Sequence, residues 1–167
     1  MIANRALKTL ALASALWAGH AQAQTPSAYL TPIGPPVALE TARKAAAAAL
    51  AEARKHGWLM VVAVVDPNGT LVYYEKMDNV QLGSAAVAVD KARSAALFKR
   101  PTKAFQDALA SGGLGVRILG LQGAVPLEGG VPLVVGGKLI GAIGLSGDLS
   151  ENDGLCATAG ANAVKAP

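Results

Sequence analysis

Residues 125–148, VPLEGGVPLVVGGKLIGAIGLSGD, decide the fold, because their glycines suit either a phosphate-cradling loop or a tightly turned sheet. A Walker loop places four residues between its first glycine and Gly-Lys, then Ser or Thr for magnesium. Here Pro132 takes the first position ahead of Gly137-Lys138 and Leu139 follows them, so the match fails at both ends. A dinucleotide fingerprint fails as well, since Gly141 and Gly144 have no glycine at 139 and sit among β-formers. Gly136-Gly137 instead suits a two-residue hairpin turn, whose central positions both need positive φ. Gly141, Gly144 and Gly147 then fall in or just beyond the returning strand. Glycine there forgoes side-chain packing, which implies close approach by a helix, another backbone or a flat ligand.

Upstream, residues 58–66 (WLMVVAVVD) form a β-branched run, DPNG turns the chain and TLVYYEKM returns it. This predicts a hairpin whose first strand is buried on both faces. Before it, residues 37–56 carry continuous alanine-rich helix propensity, with prolines ahead of the start and Gly57 at the C-cap position. Residues 83–98 predict a second helix with Ser84 helping to cap it, and Val87, Lys91, Ser94 and Phe98 along one side. Pro101 opens a short third helix that ends at Gly112-Gly113, and residues 114–127 read as a looser segment. The final SENDGLCATAGANAV predicts a helix of three turns, Ser150 its N-cap and Asp153 completing a box. The order helix, hairpin, two helices, strands, helix makes a single α/β (α+β) domain over 37–167: an antiparallel sheet flanked by helices, not a doubly wound parallel one.

The chain start reads as an export signal over residues 1–23. Arg5 and Lys8 precede the apolar LALASALWAG, and AQA offers a cleavage site. That run is too short to span a bilayer, so the expected location is periplasmic or secreted, with no membrane contact after cleavage. Residues 24–36 hold four prolines and read as an extended arm, a linker or a clasp on a neighbour. Formal charge is +4, and two of the fifteen basic residues lie in the signal. No block of cations grips nucleic acid, which is not expected as a partner. Cys156 is the single cysteine, so stability rests on packing and self-association, not on an internal disulfide.

Arg93, Lys99, Arg100 and Lys103 gather at the junction where Pro101 and Thr102 start a helix, which favours an anionic ligand. Lys91 beside an apolar stripe needs a partner; Asp90, Asp66 and Asp78 are the nearby choices. Partial burial would suit it to act as base or nucleophile. His56, outside the signal the only histidine, matches the dipole at a helix C-terminus. Cys156 reads as a small hydrophobe. One histidine cannot build a zinc, Cys-His or Ser-His-Asp constellation.

VVDPNGTLVYYEKMD, DKARSAALFKRPT and GGVPLVVGGKLIGAIGLSG together resemble the GlcG/HbpS family, over residues 37–164. The resemblance implies a profilin-like fold, homo-oligomers that include octamers and, in some members, haem or a corrinoid. It maps family features onto Asp66, Gly69, Met77-Asp78, Lys91, Ala92, Ser94 and Arg100-Pro101-Thr102, and further along the chain onto Pro126, Gly129, Gly130, Pro132, Gly144, Ser146 and Gly147. Relatives with histidine-ligated haem carry the ligand on the first helix, which here holds only His56 at its end; Thr102 and His56 are the candidate iron ligands. The expected protein is thus an exported tetrapyrrole-binding module that stores, senses or carries, with Arg93, Lys99, Arg100, Thr102, Lys103, Gly144 and Ser146 as ligand-binding candidates. The alternatives are an enzyme on an organic acid or carbonyl compound, with Lys91 and Asp78 moving the proton, and an accessory subunit without ligand.

Overall fold

Every residue of β1 (Val61–Val65, VVAVV) is buried, as its unbroken β-branched run predicts for a strand covered on both faces. In the computed structural model, which describes residues 28–165, β1 lies inside a four-stranded antiparallel sheet of order β2-β1-β4-β3. The other strands are β2 (Leu71–Lys76), β3 (Gly130–Val135) and β4 (Lys138–Ser146). The expected signal and residues 24–27 of the arm lie outside the described residues. Strand alternation divides the core in two. Val62, Val64, Ile143 and Leu145 face the alanines of α1 (Leu39–His56) and the buried face of α4 (Ser150–Val164). Val61, Ala63, Val65 and Ala142 face Ala88, Ala92 and Ala95 of α2 (Ser84–Leu97).

The hairpin that decides the fold is present: Gly136 and Gly137 take φ 55° and 73°, the pair of positive values a type I′ turn needs, between β3 and β4. Gly144 answers the question of the thin strand. It lies under α2, and a Cβ there would collide with the backbone of Ala88 and Ala92. The space given up by its side chain is filled by a helix, not by a flat ligand.

Several local expectations are corrected. Ser84 makes no cap; its Oγ lies 3.1 Å from Ser146 Oγ instead. Leu149 is the N-cap of α4 and Ser150 its first residue, and no side chain caps it; Asp153 turns Oδ2 inward to Lys91, while its Oδ1 accepts from Asp148 N at 3.3 Å, ahead of the helix. The same helix runs 15 residues, about four turns. Its small residues, including Gly160 against Ala45 and Ala49, keep it in contact with α1 almost to the end. Residues 114–127 are not all loose: Gly113–Gly120 forms a 3₁₀ helix against α3 (Lys103–Ala110). The arm clasps its own domain. Ala28–Leu30 is a 3₁₀ turn, and Leu139 accepts from Gly34 N and donates to Pro32 O, both at 2.8 Å.

Candidate functional site

The cationic cluster expected at the α2–α3 junction is dispersed by the fold. Arg93 Nε donates to Gly69 O at 3.2 Å. Lys99, held at φ 53°, turns its Nζ to the carbonyls of Tyr29 and Thr31 at 3.0 and 3.1 Å, pinning the arm. Lys103 pairs with Asp107 at 2.8 Å and reaches Glu128 at 3.9 Å. Thr102 is fully buried, and its Oγ1 accepts from Gly130 N at 2.9 Å while its own N–H donates to Gly130 O. It fastens α3 to β3 and lines none of the clefts described below.

Lys103 borders a ≈ 310 Å³ cleft with Glu128 and Gly130, and a different cleft is lined by Arg100. Its guanidinium stacks 4.0 Å from the Tyr29 ring centroid and 5.2 Å from that of Phe105, and its Nε donates to Phe98 O. The cleft, ≈ 370 Å³ and open to solvent, is completed by Arg117, Ile118 and Leu121. These come from the 3₁₀ segment and its exit, which sequence reasoning passed over. The signal that could have found them is VRIL after Gly112-Gly113, an arginine among aliphatics in a segment with no buried residue. Two guanidiniums beside aromatic and aliphatic walls can hold a flat apolar molecule that carries carboxylates.

Lys91 occupies a second site. Its side chain is 1% exposed and its Nζ lies 2.6 Å from Asp153 Oδ2, so the partner is none of the three aspartates near it in sequence. Asp78 stands exposed at the turn after β2 and does not line this pocket. The pair borders a ≈ 240 Å³ pocket with Ser84, Ser146 and Asp148. Burial pushes the Asp153 carboxyl above the usual carboxylate range, against the pull of Lys91. Asp148, capping Leu149 N and Asn152, is held below that range.

His56 stacks on Trp58 at 4.3 Å, lies 3.2 Å from Glu52 Oε1, and lines none of these clefts. Cys156 is buried in α4, where burial pushes its thiol up to about 12. Among the described residues, no group of three or more His, Cys, Asp or Glu is arranged to hold a metal, and no helix is long and apolar enough to cross a membrane.

Sheet, helical layers and clefts define the class: a single-domain, profilin-like α+β protein. Residues 37–162 match the model of the family described as haem degrading protein HbpS-like, and the chain belongs to that family, with GlcG among its relatives. Protein GlcG of Escherichia coli (strain K12) is 39% identical over 100 residues, which is 60% of this chain and 73% of that protein. The crystal structure of HbpS superposes with a TM-score of 0.72 at 31% identity, covering 80% of this chain and 93% of that one. The crystal structure of a PduOC:heme complex gives a TM-score of 0.69 at 30% identity, covering 77% and 94%.

Proposed function

We propose that the protein binds haem or a closely related tetrapyrrole in the Arg100 cleft and stores, senses or carries it. The observation that carries the reading is the pairing of two guanidiniums, Arg100 and Arg117, with Tyr29, Phe105, Ile118 and Leu121 around one opening. Apolar walls suit the face of a macrocycle, and planar guanidiniums suit its propionates. The haem complex among its relatives favours haem over a corrinoid. When bound, haem supplies an iron centre open to ligation and redox chemistry. The chain's own part is to fix the carboxylates, shield one face and hold the group at the arm.

Export through the signal over residues 1–23 and self-association belong to the same proposal. Leu114 and Leu119, in the 3₁₀ segment that also supplies Arg117 and Ile118 to the cleft, are 82% and 69% exposed, surface that a second copy would cover.

Titration of purified protein with hemin tests the reading. A saturable Soret band is expected, with affinity reduced about tenfold or more in Arg100→Ala, by loss of a charge-assisted contact of about 1.5–3 kcal/mol. Equal affinity in the variant, or binding no tighter than to an unrelated protein of similar charge, would falsify it. A Soret band that bleaches when reductant is added in air, with dioxygen as the oxidant, would mark oxidative breakdown of the macrocycle instead of carriage.

A second reading, turnover of a small organic acid or carbonyl compound, is favoured by the buried Lys91–Asp153 pair bordering its own pocket. A substrate screen in which the wild type turns over nothing removes it.

A further inference from the structure

We propose that the pocket bordered by Lys91 and Asp153 binds a small uncharged molecule rich in hydroxyl or carbonyl oxygens, a polyol or hydroxy ketone, and turns carboxylates away. The inference rests on the turnover reading for its place alone. It narrows that reading from organic acids and carbonyl compounds to the second of these, and it holds whether or not the bound molecule reacts. Size, hydrogen-bonding capacity and charge carry it.

At ≈ 240 Å³ the pocket is smaller than sites that take drug-sized ligands. One wall is the α2 face that carries Ser84, Val87 and Lys91 at helical spacing; the end of β4 and the start of α4 supply the rest through Ser146, Ser150 and Asp153. Val87 and Leu127 add the apolar surface on which a short carbon chain can rest.

The buried polar groups have capacity to spare. Ser84 and Ser146 are 1% and 5% exposed, and their hydroxyls lie 3.1 Å apart. Two hydroxyls hold two protons and their mutual bond uses one, so the pair keeps a donor and lone pairs for a third oxygen. Lys91 gives one of its three N–H bonds to Asp153 Oδ2 at 2.6 Å. Among the described residues no second acceptor takes the other two, and a buried donor gains by finding one. A ligand oxygen supplies that acceptor without bringing a new charge.

Charge selects among oxygen-rich ligands. The lining holds one cation, Lys91, against two carboxylates, Asp148 and Asp153. Lys91 is committed to Asp153, and Leu149 N and Asn152 Nδ2 donate to Asp148, holding it in its charged form. A ligand carboxylate thus finds no free cation among the lining residues and meets the charge of Asp148. A ligand ammonium would have to displace Lys91 from Asp153, a bond already made within the chain.

The test titrates the full chain with three four-carbon probes, erythritol, erythrulose and erythronate, by calorimetry and ligand-observed NMR. Saturable binding of erythritol or erythrulose is expected, with erythronate weaker by about tenfold or more. Tighter binding of erythrulose than of erythritol would support a carbonyl oxygen in the site. Ser84→Ala/Ser146→Ala removes both partners of one bond, so the fold should hold, which circular dichroism checks, while affinity for the uncharged probe falls about tenfold. Asp148→Asn keeps an acceptor for Leu149 N but removes the repelling charge. It should raise erythronate affinity about tenfold and leave erythritol within about twofold. The inference is overturned if no uncharged probe binds saturably, if erythronate binds as tightly as the others, or if either variant leaves the affinities unchanged. Saturable binding of erythrulose without turnover retires the turnover reading and leaves this inference standing. Turnover of a carboxylate with no binding of the uncharged probes does the reverse.

Discussion

Cys156 illustrates how surroundings set the chemistry of a residue whose type leaves several roles open. The thiol sits in the core shared by α1 and α4, and desolvation, reinforced by the charges of Glu52, Asp153 and Asp148, raises it from an ordinary 9.0 to about 12. The thiolate is the nucleophile, so at neutral pH this cysteine is inert in the folded protein. Because the folded-state value lies above the unfolded one, the folded chain keeps a proton that the unfolded chain loses. That contribution to stability is complete below about pH 9 and is lost as pH rises from there to about 12. Two outcomes follow: a thiol reagent at pH 8 labels Cys156 only as fast as the chain opens, and the stability of Cys156→Ala declines less between pH 9 and 12 than that of the wild type. Labelling of the native protein at the rate of an exposed thiol would sink the argument. Thr102 and His56 follow the same logic, each drawn into a structural bond that its residue type does not announce.

Among the elements, α2 and β4 meet with no room for a side chain at Gly144. Gly144 lets the helix backbone at Ala88 and Ala92 rest directly on the strand. Gly144→Ala should therefore lower stability by about 1–3 kcal/mol or more, since either helix or strand must shift to admit the methyl group. Gly137→Asn is the control. At φ 73° in an exposed turn, asparagine is tolerated and the change should stay within about 0.5 kcal/mol. Denaturant midpoints of the two variants decide the matter, and equal effects would mean the helix does not rest on Gly144. The elements themselves are legible in the sequence because their signals are local: Gly136-Gly137, the VVAVV run, the alanine series closed by Gly57. Arg100 is legible too, as a cation at a helix junction. Legibility stops where partners are distant or signals ambiguous. Asp153 lies 62 positions from Lys91 and, three residues after Ser150, resembles a capping residue. The Arg117 wall lies in a 3₁₀ segment without a buried face, so no hydrophobic periodicity marks it.

Across the whole molecule, α2 covers one face of the sheet while α1 and α4 cover the other, and the Lys91–Asp153 pair joins the two helical layers past the end of β3. Gly129 closes over it, for a Cβ there would stand 2.8 Å from Lys91 Nζ. An ion pair this deeply buried gains attraction in a low dielectric but loses hydration of both charges, so its net stabilisation is small while its disruption is expensive. Lys91→Ala, or Asp153→Leu alone, strands one charge and should cost about 3–5 kcal/mol in urea unfolding. The double variant Lys91→Met/Asp153→Leu removes both charges and fills the space with side chains of similar size, so its stability should return to near the wild-type level. A double variant as unstable as either single change would mean that the pair holds the layers through its geometry, and stability alone would then explain its presence. Recovery of stability points the other way: a pair the fold does not need, placed against a pocket lined by Ser84, Ser146 and Ser150, is retained for what it does there. In that event any turnover of organic acids or carbonyl compounds by the wild type should vanish in the recovered double variant while hemin still binds at the Arg100 cleft, which shares no lining residue with the Lys91 pocket.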